Sequence, residues 1–394
     1  MPGTPTLVTV LSMNLAWLVL LALPIEFLPS KYDGMPRCEE IKAAAPADRA
    51  AAVAAVRKCT GLDWADREEI RIRFQDASSD PEAAKGARMA LRRTEVLEGR
   101  EIVAITLFWE YLMTGQADAR EEITHEYVHA VHRLNVPRER YLATPRWVRE
   151  GLALHVAGQG PARVRWILQD RIEAGPDALV DGLEPSGRGH DQRDYAEDWL
   201  AFRYIEEEHG AERLRAVMRD LIAGRRDWQD AVRTHTGEDA ESFVGKARSH
   251  ARGTVRAIEG GVREELLPWL SRARDPAADA GETVTGLREF LRRRPDAYCA
   301  PRARLALAEA ELARGEVAAA RAGFLELLSR YPEEVADADA ARFGLVRCAE
   351  AAGDSAAEAR ERAALERDYP LSRHRRDTGS VEPAAGRGGG DEEE

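Results

Sequence analysis

Cysteine is scarce in this sequence, and its few positions exclude the common cysteine-based sites. The 394 residues contain four cysteines, Cys38, Cys59, Cys299 and Cys348. None stands in a CxxC pair, which excludes a zinc ribbon and a thioredoxin-like redox motif. Their positions favour two local disulfides in an oxidising compartment, Cys38–Cys59 and Cys299–Cys348. Four separate buried thiols are an equally consistent interpretation.

An excess of positive charge is also missing. Lys and Arg number 57 against 69 Asp and Glu, which gives a formal net charge of −12. A nucleic-acid-binding surface needs clustered cations, so we expect no nucleic-acid partner. The acidity favours solubility and carries little information about the substrate.

Charge is absent altogether from the first part of the chain. Residues 2–25 contain no charged side chain, and residues 7–23 are strongly apolar. This length is near the short limit for a membrane-spanning helix and also fits the apolar part of a secretion signal. We therefore predict a signal or membrane anchor at residues 1–30, membrane association through residues 7–23, and an extracytoplasmic protein of the periplasm or cell envelope. A buried N-terminal helix is the alternative.

The pattern of the remaining chain predicts an α+β fold that is mostly helical. Residues 69–74 alternate charged and apolar side chains, and residues 101–108 are rich in Ile, Val and Leu, so both are predicted strands. Glycine, proline and runs of polar residues, which favour turns and loops, mark the boundaries between the other predicted segments. The predicted segments are a helical hairpin at 31–66, a central domain at 67–270, helical repeats at 271–372 and a disordered tail at 373–394.

Two glycine–proline intervals of equal length mark a repeat in the C-terminal part. Gly315 precedes Pro332 by the same number of residues as Gly353 precedes Pro370, and a tyrosine comes directly before each proline. Helical hairpins of such a period bury their apolar faces only by stacking on neighbours. The first unit resembles the tetratricopeptide (TPR) pattern, which implies a surface for a protein partner, and the second departs from it at Glu358. An ordinary alanine-rich helical bundle is the alternative.

The strongest chemical signal is the motif His125-Glu126-x-x-His129, within a predicted helix at residues 118–134. Two histidines four residues apart lie on the same helix face, so both imidazoles can bind one metal ion. Glu126 can then hold a water molecule on that metal. Further along the chain, Glu150 stands in a Trp-x-x-Glu-Gly-x-Ala segment, and we predict that it is the third ligand. Two histidines and one carboxylate suit a catalytic Zn²⁺ with an open position for water.

Two other histidines near the motif are weaker ligand candidates. His132 lies close to His129 in sequence but too far along the helix from His125 to share one metal. His155 lies on the helix of Glu150 but about 140° away around its axis, so we expect a core or supporting histidine. The positions three and six after the second histidine of the motif hold neither the glycine nor the histidine of the metzincin pattern, which excludes that class.

Together, the HExxH motif and the downstream glutamate resemble the gluzincins, the thermolysin-like branch of zinc peptidases, and most closely the bacterial peptidase MA-like domains. The resemblance implies a zincin domain with a small mixed sheet and active-site helices at residues 67–270. It also implies one Zn²⁺ per chain held by His125, His129 and Glu150, with Glu126 as general base. An edge strand, expected at residues 101–108, would pair with an extended substrate.

Relatives of this kind often carry a Tyr or His on a later helix that stabilises the tetrahedral oxyanion. Tyr195 matches that position best, with a core tyrosine as the alternative. His190 is a weaker candidate. Leu154 stands where some relatives have an acidic residue, so the sequence assigns no residue that orients a ligand histidine.

These residues predict zinc-dependent hydrolysis of a peptide or protein substrate. A catalytically inactive metal-binding scaffold, in which the repeats bind a protein partner, is the alternative from another class. Glu126 is not a ligand and could be lost from a scaffold, so its presence favours an enzyme. Metal-assisted hydrolysis of a non-peptide substrate would use the same site chemistry.

Overall fold

A computed structural model describes residues 24–80, 90–97, 99–114, 117–170, 194–275, 277–331 and 335–370, together with residues 372 and 374. The apolar residues 7–23, His190, Pro332 and nearly all of the predicted tail lie outside this part. Within it, no helix combines the length and the apolar character needed to cross a membrane. The described chain is mostly helical with one small mixed sheet, which confirms the predicted α+β class.

The sheet contains four strands in the described part of the chain: β1 (Ile25–Phe27), β2 (Ile70–Gln75), β3 (Ala90–Leu97) and β4 (Arg100–Phe108). Their order is β1-β2-β4-β3. β2 is parallel to both β1 and β4, whereas β3 is antiparallel to β4. The sequence predicted β2 and β4 but not the other two strands. Because β1 pairs with β2, the end of the predicted N-terminal segment at residues 1–30 belongs to the sheet.

The prediction that residues 101–108 form an edge strand is wrong. β4 is hydrogen-bonded to β2 on one side and to β3 on the other, so its backbone groups are already paired. Residues 102–108 are all buried, which is typical of an inner strand covered on both faces. β3 is the edge strand beside it, and it carries the charged Arg93 and Glu95 that natural sheets place on edges.

Eleven α-helices of the described chain follow in this part: α1 (Pro36–Thr60), α2 (Trp109–Thr114), α3 (Ala119–Asn135), α4 (Arg138–Ala143), α5 (Arg146–Ala157), α6 (Gly160–Asp170), α7 (Asp194–His209), α8 (Ala211–Ile222), α9 (Trp228–Thr236), α10 (Ala240–Glu259) and α11 (Val262–Arg274). Most of them share one apolar core with the sheet, whereas the buried apolar residues of α6 and α11 belong to a second cluster. α3 packs against α5, and α5 packs against α7. These three helices position the candidate site.

Residues 31–66 contain one long helix and not the predicted hairpin. α1 runs for 25 residues and ends where Gly61 adopts a left-handed φ of 71°. Its alanine-rich sequence has a high helix propensity and no turn signal strong enough to break it. Ala45, Ala52 and Val56 are fully buried in the core of the sheet domain. The segment is therefore part of that domain.

The two predicted disulfides are wrong, because all four cysteines are free thiols. Cys38 and Cys59 lie near opposite ends of α1, where a rise of about 1.5 Å per residue separates them by roughly 30 Å. A disulfide holds two Cα atoms within about 7 Å. Cys299 and Cys348 belong to two different apolar clusters. The alternative of separate thiols is confirmed, although Cys59 is only half-buried.

The C-terminal part is a stack of helices: α12 (Ala280–Arg293), α13 (Ala300–Ala313), α14 (Val317–Arg330), α15 (Val335–Ala352) and α16 (Ser355–Asp368). Gly315 joins α13 to α14 with φ 78°, and Gly353 joins α15 to α16 with φ 67°. Phe324 fills the space between α14 and α15, where a Cβ on Gly344 would lie 2.4 Å from its ring. The two glycines thus occupy equivalent turns of successive helical hairpins, while the finer TPR assignment stays a prediction.

Candidate metal centre

Helix α3 presents the motif because its start and its packing face are defined by the sequence. The Asp118 carboxylate caps the helix by accepting the backbone N–H of Glu121 at 3.0 Å. Ile123 and Tyr127 are fully buried on the core side. The Tyr127 hydroxyl donates to the Ala65 carbonyl at 3.0 Å and anchors that face. The adjoining face, which carries the two histidines, turns towards α5.

The structure brings the three predicted ligands His125, His129 and Glu150 together. The two Nε2 atoms are 3.2 Å apart, and each lies 3.2 Å from Oε2 of Glu150. Tetrahedral Zn²⁺ with bonds of about 2.0–2.1 Å would separate its ligand atoms by about 3.3 Å. The triangle of donor atoms has that size, and two imidazoles with one carboxylate are a catalytic zinc ligand set. The residues therefore fit this ion.

Burial and mutual contact set the charges of this group. Burial opposes the charge on Glu150, but the adjacent His129 and His125 hold the pKa of its carboxyl well below its usual range. Burial lowers the pKa of His129, which keeps that imidazole neutral at neutral pH. Burial also opposes the charge on His125, yet the contact with Glu150 raises its pKa. A neutral imidazole and an ionised carboxylate are the forms that bind metal.

The residue that orients His125 is Gln159, which the sequence did not reveal. Nδ1 of His125 lies 2.9 Å from Oε1 of Gln159. An amide oxygen can only accept, so Nδ1 is the donor of this contact, and Nε2 is the nitrogen that would bind a metal once it carries no proton. The Gln159 amide donates in turn to Glu122 at 3.3 Å, and Arg163 contacts the same carboxylate at 3.5 Å. Gln159 takes the role that the apolar Leu154 cannot perform.

The predicted base Glu126 is held by an arginine of the edge strand. Arg92 on β3 contacts Oε2 of Glu126 at 2.9 Å through one guanidinium nitrogen. The other nitrogen donates to the Tyr141 hydroxyl at 2.9 Å. The Glu126 side chain keeps 15% of its surface exposed, so it is not sealed off from solvent.

Tyr195 lies beside the three predicted ligands. Its ring centroid is 6.3 Å from that of His125, and its hydroxyl accepts a hydrogen bond from Arg146 at 3.2 Å. The same guanidinium lies 3.7 Å from the second oxygen of Glu150. Burial, followed by the charge of Glu150, raises the pKa of Tyr195 to about 12, so the phenol keeps its proton at neutral pH. This position is compatible with the predicted oxyanion role, which stays a prediction.

The two histidines set aside as ligands lie outside the triangle. His132 packs against the Tyr141 ring with centroids 5.1 Å apart. Burial, with smaller effects from His129 and Arg149, lowers the pKa of His132 to about 3. Burial also lowers the pKa of His155. Both are therefore neutral packing residues at neutral pH.

Gly151, next to the predicted third ligand Glu150, lets α7 approach α5 closely. A Cβ at this position would lie 2.3 Å from the Asp198 carbonyl oxygen and 2.7 Å from the Phe202 ring. We expect Gly151→Ala to lower the free energy of unfolding by about 1–3 kcal/mol and to move Tyr195 on α7 away from the ligands. Urea unfolding measures the loss. The control is Gly253→Ala, where a Cβ meets nothing within 4 Å and a gain in stability is expected. Equal stability of the two variants would contradict this packing.

Comparison of the chain with protein-family models, curated proteins and solved structures finds no match in any of the three. The chemistry of the site is therefore argued from its own residues and distances.

Proposed function

We propose that this protein is a zinc-dependent peptidase of the gluzincin type, which hydrolyses a peptide bond with metal-activated water and Glu126 as general base. The observation that carries the proposal is the convergence of the ligand atoms of His125, His129 and Glu150 at mutual distances of 3.2 Å, with Glu126 on the same helix as the histidines. When bound, Zn²⁺ supplies a water of lowered pKa and polarises the substrate carbonyl.

The surrounding residues supply the remaining steps. Glu126 is fixed at one oxygen by Arg92, takes the proton of the attacking water with the other oxygen, and passes it to the leaving amine. Tyr195 donates a hydrogen bond to the oxyanion that forms on the substrate carbonyl, and Arg146 adds positive charge beside it. β3, which has no partner strand on its outer side in the described chain, aligns an extended peptide by main-chain hydrogen bonds.

Location and partner binding extend the proposal. The apolar residues 7–23 support export to the periplasm or cell envelope, with association to the membrane through that segment. The hairpins α13–α14 and α15–α16 offer a stacked surface for a protein partner, either the substrate or an adaptor.

Metal removal tests the proposal. We expect about one zinc per chain, loss of cleavage of a peptide library after chelation, and recovery when Zn²⁺ is added back. His129→Ala is the matched negative variant, because it removes one corner of the ligand triangle. Absence of zinc from the wild-type protein would overturn the metal site. Bound zinc without cleavage of any library member would overturn the peptidase and favour the metal-binding scaffold.

A further inference from the structure

A second group of cations lies next to the predicted base. Arg149 and Arg92 both stand against the ring of Tyr141, with their guanidinium carbons 5.0 Å and 5.8 Å from its centroid. Arg92 is paired with Glu126. The buried His132 packs on the same ring and adds no negative charge. The Tyr141 ring therefore contacts two guanidinium groups, of which that of Arg92 has a carboxylate partner in Glu126.

Arg149 has no counter-charge in the described part of the chain. It forms no ion pair or hydrogen bond there, and its Nε is a buried nitrogen without a partner. The other arginines near the ligands are satisfied, because Arg146 contacts Glu150 and Arg163 contacts Glu122. Holding a half-buried guanidinium without an anion is unfavourable. An anionic group on a bound molecule would supply the missing partner of the Arg149 guanidinium.

We propose that Arg149, supported by Arg92 and Tyr141, binds a carboxylate of the substrate, so that the protein cleaves peptides with an acidic side chain or a free C-terminal carboxylate near the scissile bond. A planar guanidinium suits this role because it can bind a carboxylate through two parallel hydrogen bonds. The inference rests on the proposed peptidase function and names the substrate class of that site.

The proposed subsite is linked to the predicted base by direct contacts and to a predicted ligand by its place on α5. Arg92 connects it to Glu126 and to the Tyr141 hydroxyl by contacts of 2.9 Å each. Arg149 directly precedes the ligand Glu150 on α5. An extended peptide advances about 3.4 Å per residue, so we expect the preferred carboxylate within a few residues of the scissile bond.

Paired peptides test the subsite. A series with Glu or Gln at each position in turn, each with a free or an amidated C-terminus, separates the two sources of carboxylate. We expect the wild type to prefer one carboxylate-bearing peptide over its neutral partner by about tenfold or more in kcat/KM. Arg149→Gln should bring that ratio close to one, and Arg149→Lys should keep part of it. Arg215→Gln removes an exposed cation paired with Glu212 and, as the control, should keep the wild-type ratio.

Glutarate binding gives a readout that needs no turnover. In calorimetric titration of the zinc-loaded protein, glutarate should bind about tenfold more weakly to Arg149→Gln than to wild type, and the neutral glutaramide should not distinguish them. The difference should shrink at high salt. Equal rates on acidic and neutral peptides, together with equal glutarate affinities, would overturn the subsite and leave the peptidase standing. Absence of any cleavage with the glutarate difference intact would overturn the proposed function and support the subsite.

Discussion

Glu126→Gln should reduce kcat by about 10²–10⁴-fold and leave the zinc in place. The ligand atoms come from His125, His129 and Glu150, so the substitution removes none of them. Glutamine keeps the size of the side chain and an oxygen that can still accept from Arg92, which now lies 2.9 Å away. The amide cannot take a proton from water. We therefore expect kcat to fall because proton transfer is lost, while the fold and the zinc site stay intact.

The measurement pairs kcat on the best library peptide with elemental analysis of bound zinc. Glu139→Gln, an exposed carboxylate on the neighbouring helix α4, is the control for loss of one negative charge and should behave as wild type. If Glu126→Gln turned over within tenfold of wild type, another group would have to be the base. If Glu126→Gln lost its zinc, Glu126 would be needed for metal binding, and its assignment as the general base would be wrong.

The convergence of His125, His129 and Glu150 could be predicted because the geometry that forms it is mostly local. Residues four apart share a face on any α-helix, so the spacing of His125 and His129 determines their convergence before the tertiary fold is known. Glu150 requires one further condition, that α5 packs on α3, and both helices have apolar faces that favour such packing. Strand β2 could be predicted for a similar reason, since its alternation of buried and half-buried residues is a property of the strand itself.

The residues that contact His125 and Glu126 could not be predicted, because they come from elements that meet only in the folded chain. Gln159 lies between two glycines at the junction of α5 and α6, and no pattern there indicates a contact with α3. Arg92 lies on β3, whose sequence has two consecutive charged residues, a pattern that is more typical of a loop than of a strand. The error on residues 101–108 has the same origin, since strand order is a property of the whole sheet. The apolar run at residues 102–108, interrupted only by Thr106, was the one local sign of an inner strand.

Gln159→Leu should weaken zinc binding by about 10–100-fold. Leucine approximates the size of the side chain but removes the acceptor that lies 2.9 Å from Nδ1 of His125 and the donor that lies 3.3 Å from Glu122. The imidazole is then free to protonate at either nitrogen, and only one tautomer directs a lone pair at the metal. Burial already raises the pKa of Glu122, and loss of its donor raises it further. Competition with a chromophoric chelator measures the change in affinity.

A paired exchange separates the hydrogen bond from the size of the side chain. In Gln159→Glu combined with Glu122→Gln, the new carboxylate at 159 accepts from His125 and also from the new amide at 122, so the contact to His125 is kept while the second hydrogen bond reverses its direction. We expect zinc affinity at or above that of wild type, because a carboxylate partner makes the imidazole a stronger ligand. Gln159→Glu alone should bind zinc more weakly than the double variant, since it places two carboxylates where the amide and Glu122 now lie 3.3 Å apart. Gln169→Leu removes another buried amide, which donates to the Tyr298 carbonyl at 2.7 Å, and should leave zinc affinity unchanged. If Gln159→Leu also left it unchanged, packing alone would orient His125, and the role assigned to Gln159 would be wrong.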